Sequence, residues 1–375
     1  MLRRVLKSWG RFEIQDPTPD GSLATIKEFR LHTFINATFW DKFSRMPKEL
    51  QALWIPKAAG WLADQFWSRW VPPCTIFHNL RGSHLISLQA AKQRGAITVI
   101  ENAGRHPRHW LETDTEEPRR FGVSPDECRL PWTAWALPQI EREYAFCDCI
   151  VVPSSIAHKS LAEFGLEGKT AIVAPGVDAD LFSPLPRFDR HLFRACFVGR
   201  VELTKGVGYL LEVWKRLALP NAELLVVGAV KPEMNTLLRT HADSTVQMTG
   251  PLPAHEVTQR YRESDLFVFP SVNEGLAQVL LEAMASGLPA VATDMSGATD
   301  CIENGKEGFI VPARDVDALA DAISWCYHHR DALPAMGRAA RLKIENQFTL
   351  EHYNQRQIAL YRSLAGRPAT PPALP

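Results

Sequence analysis

Short apolar runs alternate with stretches of helical period along most of this chain. In the C-terminal half the runs are RACFVG (194–199), ELLVVG (223–228), DLFVFP (265–270), PAVAT (289–293) and GFIVP (308–312). Between them lie KGVGYLLEVWKRLA, PEMNTLLRTHA, AHEVTQRYRE and LAQVLLEAMASG, each with apolar residues at helical spacing. Continuous apolar runs predict strands buried on both faces, and their alternation with helices predicts a parallel, doubly wound α/β sheet. The middle of the chain repeats the pattern. CTIFHN (74–79), AITVIEN (96–102), DCIVVPS (148–154) and TAIVAPG (170–176) read as strands; SHLISLQAAKQRG and SSIAHKSLAEFG read as helices stopped by glycine. PGVDADLFSPLPRFDRH, with three prolines and no period, reads as the linker between two such units. Two more helical segments follow Asp331, and the tail 365–375 is Pro/Ala-rich and reads as disordered.

Composition narrows the class. A length of 375 residues suits two domains, and 46% hydrophobic with 22% charged residues suits a globular chain. Forty-two basic residues balance forty-two acidic ones, which gives no support to a nucleic-acid partner. The seven cysteines are scattered without a C-x-x-C pair and read as reduced core residues. No run approaches the length of a membrane span, and MLRRVLKSWGRF is too short in its apolar part for a secretory signal. The chain reads as cytoplasmic, and the sequon at Asn36 as a chance match. Six of the eleven tryptophans lie in residues 1–73. KAAGWLADQFWSRW (57–70) is either a helix packed on its own domain or an interfacial helix making peripheral membrane contact.

Chemistry concentrates in SVNEGLAQVLLEAMASGLPAVAT (271–293). Glu274 and Gly275 follow a strand and precede a helix, at a sheet edge where ligands of open α/β folds bind. A helix N-terminus offers free N–H groups to a phosphate, and glycine lets the backbone approach. A carboxylate beside an anion is a poor choice for stability but a good acceptor for sugar hydroxyls. Glu282, about 12 Å further along if the segment is helical throughout, could serve a second polyol. A nucleotide sugar offers both. The structural alternative is that Glu274 caps the helix and Glu282 pairs with a lysine. In CFVGRVELTKGVGYLLEVW a strand leads to Gly199 and Arg200, then Lys205 and Gly206 open a helix. Two cations at a helix N-terminus suit a diphosphate. The spacing is not that of a P-loop.

These motifs resemble those of the family 4 retaining glycosyltransferases, over residues ~74 to ~364. The resemblance implies the GT-B fold of two facing Rossmann-like domains. It assigns 1–180 to an acceptor-side domain completed by a C-terminal helix (349–364), 181–190 to the linker and 191–348 to a nucleotide-sugar domain. It implies that Arg200 and Lys205, between Gly199 and Gly206, bind the donor diphosphate. Glu274 would contact the donor sugar, Glu282 the ribose, and the amides of Gly275, Leu276 and Ala277 the sugar and distal phosphate. It implies retaining, front-side transfer of a hexose to a hydroxyl of a glycan or lipid-linked glycan, with the leaving phosphate helping to deprotonate the acceptor. No cofactor is implied beyond the donor substrate. The family also places a histidine after a central acceptor-domain strand. Here TVIENAGRHPRHW offers His106 as catalytic candidate, then His109, with His78 third and an exposed loop histidine as the alternative. Asp178–Asp180 and Asp315–Asp317 have D-x-D spacing, but read as linker and helix cap rather than metal sites.

Three alternatives stand beside the transferase: another GT-B enzyme such as a sugar-nucleotide epimerase or phosphorylase, a non-catalytic nucleotide-binding subunit, or a truncated form. The last arises because the family's opening strand, glycine-rich loop and helix are not evident. MLRRVLKSWGRFEIQ reads as the end of a first helix and a second strand (11–15), so the natural start is expected some 20–40 residues upstream, from the length of one βαβ unit. Loss of a central first strand would leave two strands without a neighbour.

Overall fold

The computed structural model describes residues 11–17, 23–30, 64–82, 84–123, 132–185 and 191–366. In chain order the elements are β1 (Arg11–Pro17), β2 (Leu23–Arg30), β3 (Ile76–Leu80), α1 (Leu85–Gln93), β4 (Ile97–Glu101), α2 (Pro107–Arg120), α3 (Trp132–Phe146), β5 (Cys149–Val152), α4 (Ser155–Ala162), β6 (Thr170–Ile172), β7 (Phe193–Val198), α5 (Val207–Leu217), β8 (Ala222–Val227), α6 (Asn235–His241), β9 (Val246–Gly250), α7 (Ala254–Arg262), β10 (Leu266–Phe269), α8 (Gln278–Ala285), β11 (Ala290–Thr293), β12 (Gly308–Val311), α9 (Val316–His328), α10 (Leu333–Gln347) and α11 (Leu350–Leu364).

Two six-stranded sheets result, in the orders β1-β2-β3-β4-β5-β6 and β12-β11-β10-β7-β8-β9. Every pairing is parallel except the β1–β2 hairpin. The alternating pattern predicts the two α/β units, and they face each other as the family resemblance implies. The central strands β5 and β10 are buried at every position, which is why they read as unbroken apolar runs. Two strands were not expected. β9 (VQMTG) is an edge strand buried only at Val246, so its sequence lacks an apolar run. β2 carries three charged residues in LATIKEFR. The expected strand at 11–15 is present as β1. Because β2 pairs with β3 from Glu28↔Ile76 to Arg30↔His78, β3 has neighbours on both sides, and the expected pair of strands without a neighbour does not occur.

The chain crosses between the units twice, side by side. Val177 N–H donates to Phe348 O at 2.8 Å and Leu350 N–H to Val177 O at 3.2 Å. Arg341 clamps the first crossing onto the second unit, donating to Ala179 O, Phe182 O and Ala285 O at 2.8 Å each. After the second crossing α11 returns to the first unit. There Tyr361, almost fully buried, packs with Ile76, Val99, Val151 and Val173, and its hydroxyl meets His78 Nδ1 at 2.6 Å.

Six cysteines are free thiols, with Cys74 half-buried and Cys147, Cys149, Cys196, Cys301 and Cys326 buried. The seventh, Cys128, lies outside the described residues, as do the sequon and most of the Trp-rich N-terminal segment. Trp67 packs against the first unit's core, while Trp70 is exposed. Among the described residues no helix is long and apolar enough to cross a membrane.

The two crossings approach so closely that a Cβ on Gly176 would lie 2.4 Å from Thr349 O. Gly176→Ala is expected to destabilise the protein by about 1–3 kcal/mol, in the range of overpacking. Gly168→Ala, where nothing lies within 4 Å, is the control. Chemical denaturation of both variants checks this, and equal stabilities would mean that the crossings separate freely.

Candidate active site

The carboxyl ends of β7 and β10 build one side of the site. β7 ends at Gly199, and a 3-10 turn at Leu203–Lys205 leads into α5 through Gly206. Gly206 has φ of 70°, and a Cβ there would lie 1.9 Å from Pro270 O. Only glycine allows this loop to rest on the end of β10, and that contact carries Lys205 to the β10 loop. There the Lys205 ammonium pairs with the Glu274 carboxylate, both side chains largely buried. Arg200 is exposed and pairs with Glu202 at 3.0 Å.

Glu274 is not a helix cap. Its amide donates to Met295 O at 2.9 Å, and α8 begins only at Gln278, with Ala277 as an N-cap lacking a side-chain hydrogen bond. Gly275, Leu276 and Ala277 are buried, and among the described residues their amides donate to nothing. Three consecutive amides ahead of a helix are donors of the kind an anion can use. Glu282 lies within α8, not beside the cations. Its carboxylate meets Tyr261 Oη at 3.4 Å, and burial raises its pKa. Neither structural alternative for the two glutamates describes their contacts.

The first unit covers this edge. Ser154 Oγ donates to Gly275 O at 2.7 Å, and Ser155 N–H to Asp300 at 2.7 Å. A Cβ on Gly275 would lie 2.6 Å from Ala103 O and 2.5 Å from Pro153 Cγ. The largest share of the contact comes from α2, whose role the sequence did not announce. Trp110 places its ring 5.7 Å from Lys205 Nζ. Thr113 Oγ1 accepts from Asn273 Nδ2 at 3.1 Å. Glu117, with no exposed surface, accepts from Tyr209 Oη at 2.8 Å and from Arg314 Nε at 2.7 Å. These positions share one helical face, at spacings of three and four. Polar residues at that spacing normally mark a solvated face, so the pattern gave no warning of an interface.

Electrostatics are crowded here. Burial lowers the Lys205 ammonium to about 8, opposed by Glu202 and Asp114 and assisted by Arg200. Burial raises the Asp114 carboxyl to about 6, assisted by Glu202 and Glu233 and opposed by Arg200 and Lys205.

Among the described residues, the contacts of His106 and His109 are with groups other than the Lys205–Glu274 pair. His106 is 2% exposed, so it is not an exposed loop residue. It N-caps α2, accepting from Arg108 N–H at 3.3 Å, and its ring stacks on Phe164 at 3.9 Å. Burial holds its pKa down at about 4, so it is neutral at pH 7. His109 bonds Glu163 at 2.9 Å and Glu112 at 3.3 Å. His78 belongs to the α11 contact. The D-x-D aspartates are local caps. Asp178 accepts from Asp180 and Leu181 amides, and Asp315 caps α9 through Ala318 N–H at 2.8 Å.

Known proteins resemble this chain in sequence and in fold. Residues 193–329 match the family described as Glycosyl transferases group 1. A putative colanic acid biosynthesis glycosyltransferase of Escherichia coli is 30% identical over 209 residues, 52% of each chain. Sulfoquinovosyl transferase of Arabidopsis thaliana is 31% identical over 213 residues, 53% of this chain and 41% of its own. The chain spans about half the length of the curated relatives it matches. Among solved structures, sucrose-phosphate synthase from Thermosynechococcus elongatus superposes with a TM-score of 0.64 at 19% identity, covering 81% of this chain and 76% of its own. Anabaena HepE in complex with UDP-glucose superposes at 0.63 with 17% identity, covering 80% of this chain and 81% of its own. The fold is GT-B, two facing Rossmann-like domains, and the match to the group 1 glycosyltransferase family falls within the second.

A lysine near 8 gives the site a testable pH dependence. An anion binds the ammonium form, so affinity for a nucleoside diphosphate is level below pH 8 and falls above it, by up to about tenfold per unit. Arginine stays charged throughout, so Lys205→Arg removes the fall. Calorimetric titration between pH 7 and 9 checks both, and a parallel decline in the variant would assign the titration to another group.

Proposed function

We propose that this protein transfers a hexose from a nucleoside-diphosphate sugar to an acceptor hydroxyl, with retention and without a resident metal ion. The observation that carries this reading is the convergence at one sheet edge of Lys205, Glu274 and the three unpaired amides of Gly275, Leu276 and Ala277. Lys205 and Arg200 take the diphosphate, the amides take the distal phosphate and sugar, and Glu274 accepts hydroxyls of the hexose. Glu282 takes the ribose. The names of similar proteins support a nucleotide-sugar donor, since HepE is seen with UDP-glucose and one relative is a GDP-mannose-dependent mannosyltransferase. Other relatives act in polysaccharide biosynthesis, in keeping with a glycan or lipid-linked glycan acceptor.

In this reading the bond from the anomeric carbon to the phosphate oxygen breaks as charge builds on the leaving diphosphate. Two cations and preorganised amides stabilise that charge, which removes the need for a metal ion. The acceptor oxygen bonds to the same face of the sugar, and its proton passes to the departing phosphate. No covalent nucleophile takes part, and His106, the histidine of the acceptor-side domain, is assigned to the acceptor side of the reaction.

Arg200→Ala and Lys205→Ala are each expected to weaken nucleoside diphosphate binding by about 10–150-fold while leaving nucleoside binding nearly intact, the worth of a charge-assisted hydrogen bond. Equal losses for both ligands would place the residues away from the phosphates. Glu274→Gln is expected to abolish most turnover at nearly unchanged diphosphate affinity. Transfer should survive EDTA and give a product whose anomeric configuration, read by NMR, matches the donor. Inversion, or activity restored only by Mn²⁺ or Mg²⁺, would sink the mechanism.

A further inference from the structure

Trp110 stands at the head of the α2 face that meets the donor loops, with its ring 5.7 Å from Lys205 Nζ. Two glycines set its position. The ring packs so closely on Gly104 that a Cβ there would lie 2.9 Å from Nε1, and a Cβ on Gly275 would lie 2.8 Å from Gly104 Cα. This contact of two backbones brings a ring of the first domain within reach of a cation of the second. The charged groups that act on the ammonium are Glu274, its ion-pair partner, with Glu202, Asp114 and Arg200. Each of them treats an incoming diphosphate in the opposite sense. The three carboxylates hold the ammonium but repel the anion, and Arg200 attracts the anion but repels the ammonium. An aromatic face attracts an ammonium through its quadrupole and brings no net charge to the site. It therefore steadies the cation without repelling the anion that the cation is to bind.

In the proposed reaction the diphosphate takes the place of the Glu274 carboxylate beside Lys205. The ion pair that fixes the lysine is then exchanged at the moment when the lysine must be in place. A lysine ammonium rides on a flexible four-carbon stem, so a second contact that persists through the exchange decides where the charge stays. We propose that Trp110 is a positioning residue of the transfer: its ring holds the Lys205 ammonium in place for the diphosphate while the lysine changes partners, and so makes the strength of the donor site depend on the first domain. In this role Trp110 touches neither substrate and acts through Lys205. The proposal rests on the transferase reading and deepens it by naming a first-domain residue that controls the donor cation.

The test is a double-mutant cycle on the full chain, with UDP and GDP as probes and affinity read by calorimetry or, where binding is weak, by NMR titration. Trp110→Leu is expected to weaken binding of the tighter probe about 3–10-fold in the native background, the range of a partly desolvated cation–π contact, and less than about twofold beside Lys205→Met. Fluorinated tryptophans placed at position 110 by amber suppression supply a variant of nearly unchanged shape. Each added fluorine withdraws charge from the ring face, so affinity is expected to fall stepwise with fluorine number when Lys205 is present and to stay level beside Lys205→Met. A merely structural tryptophan would not respond to fluorination, and its loss would lower affinity equally in both backgrounds; either result overturns the proposal. Thermal unfolding confirms folded chains, and if the leucine variant is unfolded the fluorinated series decides alone. If Lys205→Met binds both probes as tightly as the native chain, or the native chain binds neither, the donor reading fails, and this proposal with it.

Discussion

A buried ammonium has to be neutralised, and in the proposed reaction the same place also receives an anion. That constraint organises the site. Lys205 is carried inward because Gly206 lets its loop rest on Pro270, and once there it requires a negative partner. Glu274 is that partner. A diphosphate would exchange for that partner and release the carboxylate toward the sugar. In the proposed reaction one residue thus serves both as the lysine's counter-charge and as an acceptor for the sugar. The free amides of Gly275–Ala277 suit the same exchange, since they are donors that carry no mobile counter-charge.

The second domain was legible because its strands are buried on both faces and its loops carry glycines at fixed positions. Gly199-Arg200, Lys205-Gly206 and Glu274-Gly275 stand out as breaks between apolar runs, and the structure brings Lys205 to Glu274 across 69 positions. What the sequence hid is the opposing surface. α2 reads PRHWLETDTEEPRR, a strongly polar segment, yet it buries Glu117 completely. Sequence patterns register apolar contact far better than polar contact, and much of this interface is made of carboxylates, hydroxyls and a guanidinium, with Phe121 against Tyr209 just beyond the helix. His106 drew attention for its residue type and place in a loop, but its ring serves as a cap and packs inward. β9 was hidden because an edge strand has little apolar surface to display.

The interface distributes its contacts widely. Ser154 and Ser155 hold one end, Thr113 the middle, and Glu117 with Tyr209 and Arg314 the other. Each element that shapes the donor side has a counterpart across the gap, so separation of the domains dismantles the site as a unit rather than loop by loop. Glu117 has the most to lose from incomplete closure, because a carboxylate stripped of water depends on both of its donors being present.

The return of α11 has a consequence for how the chain is made. Tyr361 covers a core face whose other members, from Ile76 to Val173, are synthesised long before it. At common rates of synthesis, roughly 190 residues take about 10–40 s. During that interval the first domain has its strands but not its last covering helix, and an apolar face stays open while the second domain is still emerging. The nascent chain is therefore most exposed to aggregation midway through translation, and the final helix acts as the closing event of biogenesis.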